Sequence, residues 1–271
     1  MGNYYPPKGT RYPATSRTNR YPGSGDVNRY PGIGEINRYP VRLAPPGAPR
    51  LWYLASNLNG ANNAGVGDAD PIGTWTNLGS DGTGSNAVQA VSGARPSYDE
   101  VEATLGGKAI DFDGSDYMQT ATIADLSQPS KICLVYRQDS GAASTNFIEG
   151  LNSLNRQSIS TSGSGSRELQ LYAGSSVVAS GKLITFGAWH MVIASFNGAA
   201  SYVRLDGSQS ANLSPGTHKL VGLTIGGIYS GSSFLNGAMA EVIVYDNGTS
   251  IVDTDVEDYF SSRYGAGWPK T

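Results

Sequence analysis

The stretch "WHMVIASFNGAASYVRLDGSQ", residues 189–209, decides the fold class. Two runs rich in β-branched and aromatic residues are each followed by a dipeptide that suits a tight turn, Asn197-Gly198 after the first run and Asp206-Gly207 after the second. Asn-Gly and Asp-Gly are the strongest short-range hairpin signals, because such turns need a positive φ. The stretch therefore predicts two antiparallel strands, each ending in a turn.

The same pattern of short β-type runs and turn signals extends over residues 51–271. The clearest runs are "KAIDFDGSDYMQT" (108–120), "KICLVYRQ" (131–138), "RELQLYAG" (167–174), "LTIGGIYSG" (223–231) and "AMAEVIVYD" (238–246). Many short strands with turn signals between them are typical of an antiparallel two-sheet sandwich. We therefore predict an all-β jelly-roll sandwich.

One segment near the C-terminus, "DTDVEDYFSSRYG" (253–265), has the pattern of a short helix. Asp253 or Thr254 is a suitable N-cap, and Gly265 is a suitable stop. The larger apolar side chains recur at helical spacing and fall on one face, namely Val256, Tyr259, Phe260 and Tyr264. The sequence thus predicts one short C-terminal helix.

Cys133 is the only cysteine, so the chain has no internal disulfide. It lies in the apolar run "KICLVYR", which favours a buried, inert thiol. No run of eighteen apolar residues is present, and the first thirty residues lack the apolar segment of a signal peptide. We therefore expect neither a membrane span nor an export signal.

Residues 1–50 differ from the rest in charge and composition. They hold eight lysines and arginines against two acidic residues, whereas residues 51–271 hold eleven against twenty, so the net charges are +6 and −9. Residues 1–50 also hold nine of the fourteen prolines and show no apolar periodicity, which leaves them without a core of their own. We interpret them as an extended basic arm in front of a jelly-roll domain spanning residues 51–271.

The arm repeats the tripeptide Arg-Tyr-Pro four times at a spacing of nine residues. Proline holds each preceding tyrosine in an extended conformation, and the repeats suit either polyproline geometry or a string of turns. Tyrosine and arginine often carry interface energy, and several weak units on one chain add avidity. We predict that the repeat residues dock on a partner protein: Arg11, Tyr12, Pro13, Arg20, Tyr21, Pro22, Arg29, Tyr30, Pro31, Arg38, Tyr39 and Pro40.

Two other interpretations of the arm stay open. A linker that drifted by duplication needs neither the strict register nor an aromatic residue beside each arginine. Stacking on single-stranded nucleic acid is disfavoured, because Asp26 and Glu35 interrupt a modest charge density.

Several stretches within residues 51–268 occur in the order expected of a known family: "LWYLASNL", "DPIGTWTNLGSDG", "ARPSY", "LGGKAIDFDGSDYMQT", "GAWHMVIASFNG", "YVRLDG", "LNGAMAEVIVYD" and "VEDYFSSRYG". In this series the chain resembles the concanavalin A-like, laminin-G-like jelly-roll domains, of the kind found in phage virion proteins. The resemblance implies two curved antiparallel sheets, a concave face that binds glycans in many relatives, and often a calcium ion at one rim. The family includes lectins, spacers, virion proteins and a minority of glycosidases, so the fold alone does not decide the function.

We predict no catalytic residues. Glycoside hydrolysis needs two carboxylates facing one cleft, and jelly-roll glucanases carry theirs in a Glu-hydrophobic-Asp-x-Glu pattern. In the nearest stretch, "SYDEVEATL" (97–105), Glu100 and Glu102 would share a face if the stretch were a strand, but the rest of that pattern is missing. We interpret Asp99, Glu100 and Glu102 as a solvated turn followed by a strand edge. His190 and His218 have neither ligand spacing nor a nucleophile partner, and we expect a core or edge role for His190. The expectation is therefore a protein that is not an enzyme.

Two acidic stretches leave calcium open. "DFDGSD" supplies Asp111, Asp113 and Asp116, and "GDADP" supplies Asp68 and Asp70. The first looks like half of a calcium loop, but further oxygen donors and the late glutamate are missing. Aspartates that bond to their own backbone in turns account for both stretches, so we predict no metal ligand and no cofactor.

The four tryptophans are candidate stacking faces for sugars: Trp52, Trp75, Trp189 and Trp268. Trp52 and Trp189 lie among strand-like residues, which favours the core. The family resemblance gives Trp75 a structural role. The sequence does not separate a binding tryptophan from a packing one.

The favoured function is a phage virion structural protein, as a capsid decoration, fibre or knob component. It accounts for a jelly roll without an export signal or disulfides and for a basic arm suited to a regular protein surface. Its partners are then capsid or tail proteins through the arm and a host glycan on the jelly roll, in a homo-oligomer or larger assembly located in the virion. The alternative is a carbohydrate-binding or adhesion module of a secreted or surface protein, and a glycosidase ranks third.

Overall fold

The chain folds as a two-sheet antiparallel β-sandwich with one short helix near its C-terminus, and this confirms the predicted fold class. The computed structural model describes residues 44–141, 144–163 and 167–270. Sixteen strands and a single α-helix lie within these residues. Most of the predicted arm, residues 1–43, lies outside them.

The strands in chain order are β1 (Leu51–Leu54), β2 (Thr74–Trp75), β3 (Ala87–Val88), β4 (Ser97–Glu102), β5 (Gly107–Asp113), β6 (Met118–Thr120), β7 (Ser130–Gln138), β8 (Thr145–Glu149), β9 (Ser158–Thr161), β10 (Glu168–Tyr172), β11 (Val178–Leu183), β12 (Trp189–Phe196), β13 (Tyr202–Leu205), β14 (Ser208–Gln209), β15 (Thr224–Ile225) and β16 (Asn236–Tyr245). The helix α1 spans Asp253–Tyr264. Within the described ranges, no helix has both the length and the apolar character needed to cross a bilayer.

The strands form two eight-stranded sheets. Sheet A has the order β14, β13, β12, β7, β16, β5 and β4, and β1 also pairs with β16. Sheet B has the order β11, β10, β9, β8, β15, β6, β3 and β2. Neighbours such as β7 and β16, or β8 and β15, are far apart in sequence and pair antiparallel, which is the long-crossover arrangement of a jelly roll.

The central strands of sheet A are buried on both faces. Along β7, Ile132, Leu134 and Tyr136 point into the core between the sheets, whereas Cys133 and Val135 point to the opposite face. The nearly continuous apolar runs of β7, β12 and β16 match this two-sided burial. Burial raises the pKa of the Cys133 thiol, as expected for an inert cysteine.

Helix α1 covers the outer face of these strands. Its buried side chains Val256, Tyr259 and Phe260 pack in one cluster with Trp189 and Ile243. The predicted apolar face of the helix is therefore the face that contacts sheet A.

The predicted N-cap of α1 is wrong. Val252 occupies the N-cap position, and no side chain caps the helix. Asp253 instead lies 2.5 Å from the ammonium of the buried Lys131 and accepts a hydrogen bond from the Tyr202 hydroxyl at 2.8 Å. A buried ammonium needs a carboxylate partner, and this requirement outweighs the cap. Gly265 follows the last helical residue, as predicted.

Only one of the two turns predicted in residues 189–209 is tight. Asp206 and Gly207 have φ of 50° and 83°, as a two-residue hairpin loop requires, and they join β13 to β14. Asn197 opens a longer connection, in which residues 198–200 form one turn of 3-10 helix. The bend at 113–114 carries the chain from sheet A to sheet B and does not form a hairpin.

A buried carboxylate ties α1 to sheet A. Glu241 on β16 is fully buried and accepts hydrogen bonds from Trp52 Nε1 (2.6 Å), the Tyr259 hydroxyl (2.6 Å) and the Tyr264 hydroxyl (2.8 Å). Arg263 Nε lies 3.7 Å from its second oxygen. Burial raises the pKa of Glu241, and the Arg263 charge and the three donors oppose that rise. The network joins β1, β16 and the last turns of α1 around one side chain.

The segment before β1 packs on the sandwich. Arg50 forms a two-point ion pair with Asp81, with N–O distances of 2.5 and 2.8 Å, and its backbone nitrogen donates to the Val244 carbonyl at 2.9 Å. Pro45 and Pro49 are buried. Residues 45–50 are therefore part of the packed structure, and the extended arm stays a prediction for residues outside the described part.

We predict that Glu241→Ala destabilises the fold by on the order of 3 kcal/mol, because it leaves buried donors and Arg263 without their acceptor. Chemical denaturation monitored by tryptophan fluorescence measures the loss. Glu100→Ala, at an exposed glutamate, is the matched control and should change stability little. Equal effects of the two substitutions would contradict the role given to Glu241.

We predict that deleting residues 1–43 leaves the unfolding temperature of the chain unchanged, whereas deleting residues 1–50 lowers it. The longer deletion removes Arg50, and the net contribution of a charge-assisted hydrogen bond is about 1.5–3 kcal/mol. Calorimetry of both truncations and of full-length Arg50→Ala measures the effect. Unfolding of the 1–43 deletion would mean that the arm is needed for the fold.

Candidate functional site

The outer face of sheet B is the face that α1 leaves uncovered. Along β10, Leu169 and Leu171 point into the core, so Gln170 and Tyr172 point outward, and the strand register extends this alternation across the sheet. The outward positions are Thr74, Val88, Gln119, Asn146, Glu149, Ser158, Ser160, Gln170, Tyr172 and Thr224. This face is rich in hydroxyl and amide groups. Asn146, Ser158, Ser160 and Thr224 are buried in it, whereas Thr74, Gln119, Gln170 and Tyr172 keep some exposure.

An ion pair lies at the centre of this face. Glu149, at the end of β8, is fully buried and binds Arg156 at two points, with Nε and Nη2 at 2.9 and 2.8 Å. The loop between β8 and β9 turns back toward the sheet because Asn152 Oδ1 accepts hydrogen bonds from the backbone nitrogens of Leu154 and Asn155. The hydrogen bond to Glu149 raises the pKa of Arg156, so the guanidinium keeps its charge, and its two contacts with Glu149 compensate that charge.

Two tyrosines flank the arginine. Arg156 Cζ lies 4.6 Å from the ring centroid of Tyr172 and 5.5 Å from that of Tyr229. Gln119 Nε2 donates to the Tyr229 carbonyl at 3.2 Å and to Thr224 Oγ1 at 3.1 Å, which fixes the loop that carries Tyr229. Both rings are partly exposed. We call Glu149, Arg156, Tyr172 and Tyr229 the aromatic platform.

A groove of about 570 Å³ lies beside the aromatic platform. His218 lies at the boundary between the groove and the platform, and its ring meets the ring of Tyr172 edge-on at a centroid distance of 6.4 Å. The groove is lined by Ser127, Gln128, Leu154, Asn155, Asn197, Gly198, Thr217, His218 and Lys219.

The twelve predicted docking residues of the arm, Arg11 to Pro40, lie outside the described residues. Their role as a docking strip stays a prediction.

The stretch 97–105 does not bring Glu100 and Glu102 to one strand face. A β-bulge lies between Asp99 and Glu102. Glu102 binds Arg137 Nη1 at 2.7 Å, whereas the exposed Glu100 lies 3.9 Å from Lys108 Nζ. The stretch forms the edge strand β4, and the extra residue of the bulge shifts its alternation so that Glu100 and Glu102 do not share a face.

His190 has a structural environment, in line with the core or edge role expected of it. Its side chain is buried, Nδ1 lies 2.7 Å from Asp206 Oδ2, and Nε2 lies 2.9 Å from the Thr185 nitrogen. Asp206 also accepts a hydrogen bond from the Met191 nitrogen at 2.9 Å, which holds the 206–207 turn.

In the two candidate calcium stretches, Asp70, Asp113 and Asp116 accept hydrogen bonds within local turns, and Asp68 accepts one from the distant Glu100 nitrogen. Within the described residues no group of three or more His, Cys, Asp or Glu side chains is arranged to hold a metal ion. Each of these carboxylates accepts a hydrogen bond from a backbone nitrogen at 2.7–3.1 Å: Asp68 from Glu100, Asp70 from Gly67, Asp113 from Ser115, and Asp116 from Asp113.

The tryptophans have packing environments. Trp75 is fully buried, with its ring centroid 5.7 Å from that of Tyr53. Trp189 is also fully buried, Trp52 donates to Glu241, and Trp268 contacts Tyr264 edge-on. The aromatic rings exposed at the candidate site are those of tyrosines.

Sequence reasoning missed the aromatic platform. The alternation in "RELQLYAG" places Tyr172 on the face opposite Leu171, and this was the one available signal. Tyr229 lies in a glycine-rich loop, and no local pattern pairs Glu149 with Arg156. The platform forms from the ends of β8 and β10, the loop between β8 and β9, and the loop after β15, and a single sequence does not encode such contacts locally.

A second group of charges surrounds Arg137 on the outer face of sheet A. Burial raises the pKa of Asp111 to about 6, and the charge of Asp99 adds to the rise. At Glu102 burial alone would raise the pKa, but hydrogen bonds from Thr104 and Arg137 lower it to about 2. The carboxylates around Arg137 are Asp99, Glu102, Asp111 and Asp139.

Neither a protein-family model nor a curated protein sequence matches the chain. Among solved structures, the Trypanosoma rangeli sialidase in its covalent intermediate with 2,3-difluorosialic acid matches with a TM-score of 0.55 and 12% identity, over 88% of this chain and 36% of that chain. Domain 4 of an extracellular arabinanase from Geobacillus stearothermophilus, in complex with arabinotriose, matches with a TM-score of 0.51 and 15% identity, over 78% of this chain and 98% of that chain. An α-L-arabinofuranosidase soaked with 4-nitrophenyl α-L-arabinofuranoside matches with a TM-score of 0.55 and 11% identity, over 81% of this chain and 59% of that chain.

These matches establish a β-sandwich of the jelly-roll type, and at such identities they establish the fold alone. The chain spans about a third of the sialidase, 32% and 36% in two of its structures. The predicted phage virion structural protein is wrong, because the matching structures are glycoside hydrolases and a carbohydrate-bound domain rather than virion proteins. The capsid or tail partner and the virion location lose their support with it. Since the matches include glycosidases, the absence of enzymatic activity stays a prediction.

We predict that Asp111→Asn stabilises the protein at pH 8 and loses this advantage at pH 4. Folded Asp111 keeps its proton up to about pH 6, whereas the ordinary pKa of an aspartate is 3.8. The folded state therefore binds more protons between these values, and the stability contributed by Asp111 falls as the pH rises through 6. Unfolding temperatures of wild type and variant between pH 4 and 8 measure the difference.

Asp113→Asn, two residues along the same strand face, is the matched control of opposite sign. Two hydrogen bonds from Ser115 lower the pKa of Asp113, so its stabilising contribution is present at neutral pH and disappears in acid. A pH-independent effect of Asp111→Asn would contradict the raised pKa.

Proposed function

We propose that residues 44–270 form a non-catalytic carbohydrate-binding module, and that the aromatic platform on the outer face of sheet B is its binding site. The observation that carries this proposal is the pair of partly exposed rings, Tyr172 and Tyr229, held around Arg156 on a face of hydroxyl and amide groups. Apolar surface with a few fixed polar groups is the usual composition of a small-ligand site.

The chemistry of a sugar ring matches this surface. One face of a pyranose or furanose carries C–H groups that pack on an aromatic ring, and its edge carries hydroxyls that exchange hydrogen bonds with amides and hydroxyls. Tyr172 and Tyr229 supply rings, and the partly exposed Gln170 supplies a neighbouring amide on the outward side of β10. Since Gln119 fixes the Tyr229 loop, little ordering is needed on binding.

The charge balance of the platform favours neutral sugars. Arg156 and Glu149 compensate each other through two short hydrogen bonds, so the arginine has no free charge for an anionic group. The arabinotriose bound by the matching arabinanase domain is a neutral oligosaccharide, and that domain is matched over 98% of its length. Both observations support neutral oligosaccharides as the ligand class.

Binding is favoured over hydrolysis by the state of Glu149. Glycosidases of the usual type need two carboxylates that face the substrate. Glu149 is fully buried, and both of its oxygens bind Arg156. The carboxylates with separated pKa values, Asp111 and Glu102, lie around Arg137 on sheet A and not at the platform.

The arm supplies a separate proposal. Its charge of +6 and its four Arg-Tyr-Pro units support attachment of the module to a partner protein, in which several weak contacts act together. Assembly into a homo-oligomer is a further expectation that this attachment leaves open.

We predict that Tyr172→Ala and Tyr229→Ala each weaken binding of a neutral oligosaccharide about tenfold, which corresponds to the loss of about 1.4 kcal/mol per aromatic contact. The full chain is first applied to a glycan array, and titration calorimetry then gives the affinities of the best neutral ligand. Tyr202→Ala, at a partly exposed tyrosine of sheet A, is the matched control and should bind as wild type.

The salt dependence separates neutral from anionic recognition. Because the platform has no free charge, the affinity should stay within about twofold between low and high salt. Selective binding of sialosides with a strong salt dependence would contradict the neutral ligand class. Absence of any glycan binding by the full chain would overturn the proposed function.

A further inference from the structure

We propose that the groove beside the aromatic platform is a second saccharide subsite, which binds further units of the same neutral oligosaccharide. This inference rests on the proposed function and adds the ligand's length to it. The groove follows the platform across His218, so a ligand that stacks on Tyr172 reaches it without leaving the protein surface.

The walls of the groove are held by one side chain. Gln128 Nε2 donates to the carbonyls of Gly216 and His218 at 3.1 and 3.0 Å, and Gln128 Oε1 accepts from the Gly198 nitrogen at 2.6 Å. Gln157 Nε2 donates to the same His218 carbonyl at 2.9 Å. The connection after β6, the 198–200 turn and residues 216–218 are thereby fixed relative to each other, so the groove exists before a ligand arrives.

Three polar side chains line the groove and offer hydrogen bonds to a ligand. They are the amide of Asn197 and the hydroxyls of Ser127 and Thr217, and Thr217 is exposed. His218 Nδ1 is closed to solvent and has no hydrogen-bond partner within the described residues. His218 is therefore part of the packed wall, and the amide and the two hydroxyls are the groups that a ligand in the groove reaches.

The groove and the aromatic platform share a rigid boundary. The His218 ring lies so close to Gly174 that a Cβ at position 174 would fall 2.2 Å from it, and φ at Gly174 is +95°. Only glycine allows this approach. The opposite wall continues as well, since Asn155 lines the groove and Arg156 next to it belongs to the platform.

The composition of the groove matches neutral sugar units. Ser127, Asn197 and Thr217 offer both donors and acceptors, and Leu154, which is 76% exposed, offers an apolar contact for C–H groups. No carboxylate lines the groove, and the ammonium of Lys219 is bound by Asp125. The groove thus has the same charge compensation as the platform.

The test is the dependence of affinity on ligand length. We use titration calorimetry of the full chain with arabino-, xylo- and cello-oligosaccharides of one to six units. Within a series that binds, the longer oligosaccharides should bind at least about tenfold more tightly than the shortest one that binds. Asn197→Ala and Thr217→Val should remove most of that gain and leave the shortest bound member unaffected. Thr83→Val, at an exposed threonine outside the groove, is the matched control and should keep the gain.

The outcomes separate the subsite from the proposed function. Equal affinity for all bound lengths, or a length gain that survives both groove variants, overturns the subsite while the platform stands. Loss of short-ligand binding in Asn197→Ala, with Tyr229→Ala unaffected, would also overturn it, because the groove would then be the primary site. If the full chain binds none of the three oligosaccharide series and no glycan of the array, the proposed function itself is overturned.

Discussion

Two-sided burial of β7, β12 and β16 is the constraint on which the rest of the structure depends. A sheet face made of Cys133, Val135, Ile193 and Ile243 is unstable in water, since each buried aliphatic side chain contributes roughly 1.5–3 kcal/mol. Helix α1 meets this demand, and Glu241 fixes it by accepting hydrogen bonds from both the helix and β1. Helix α1 consequently covers part of the outer face of sheet A, and the proposed binding site lies on sheet B, the sheet that the helix does not contact.

The same requirement, that a buried charge be compensated, shapes the aromatic platform. Glu149 is fully removed from solvent, which is unfavourable unless its oxygens are bound. Arg156 binds both oxygens and is itself enclosed by two tyrosine rings. The ion pair therefore acts as a fixed support that holds the rings in place, and the surface that results is aromatic, polar and without free charge.

The sequence predicted those features that local patterns determine. Alternation along the strands, the helical face of Val256 and Tyr259, and the Asp206-Gly207 turn are all settled by near neighbours. The failures have long-range causes: Asp253 is drawn from the helix cap by Lys131, which is far away in the chain, and the bulge in β4 separates Glu100 from Glu102. The aromatic platform was missed for the same reason, because its residues meet only after the sheets have formed.

The distribution of carboxylates bears on the proposal that the sandwich binds a sugar without hydrolysing it. Hydrolysis requires one carboxyl group that gives up a proton and another that stays ionised, both beside the substrate. Asp111 and Glu102 have pKa values separated in that sense, about 6 and about 2, but they surround Arg137 on the sheet that α1 covers. Among the described residues of the platform, Glu149 is the single carboxylate. It is bound by Arg156 and fully buried, so a ligand does not reach it. The carboxylates with separated pKa values and the proposed sugar-binding platform thus lie on different sheets, and this separation supports the proposal of binding without hydrolysis.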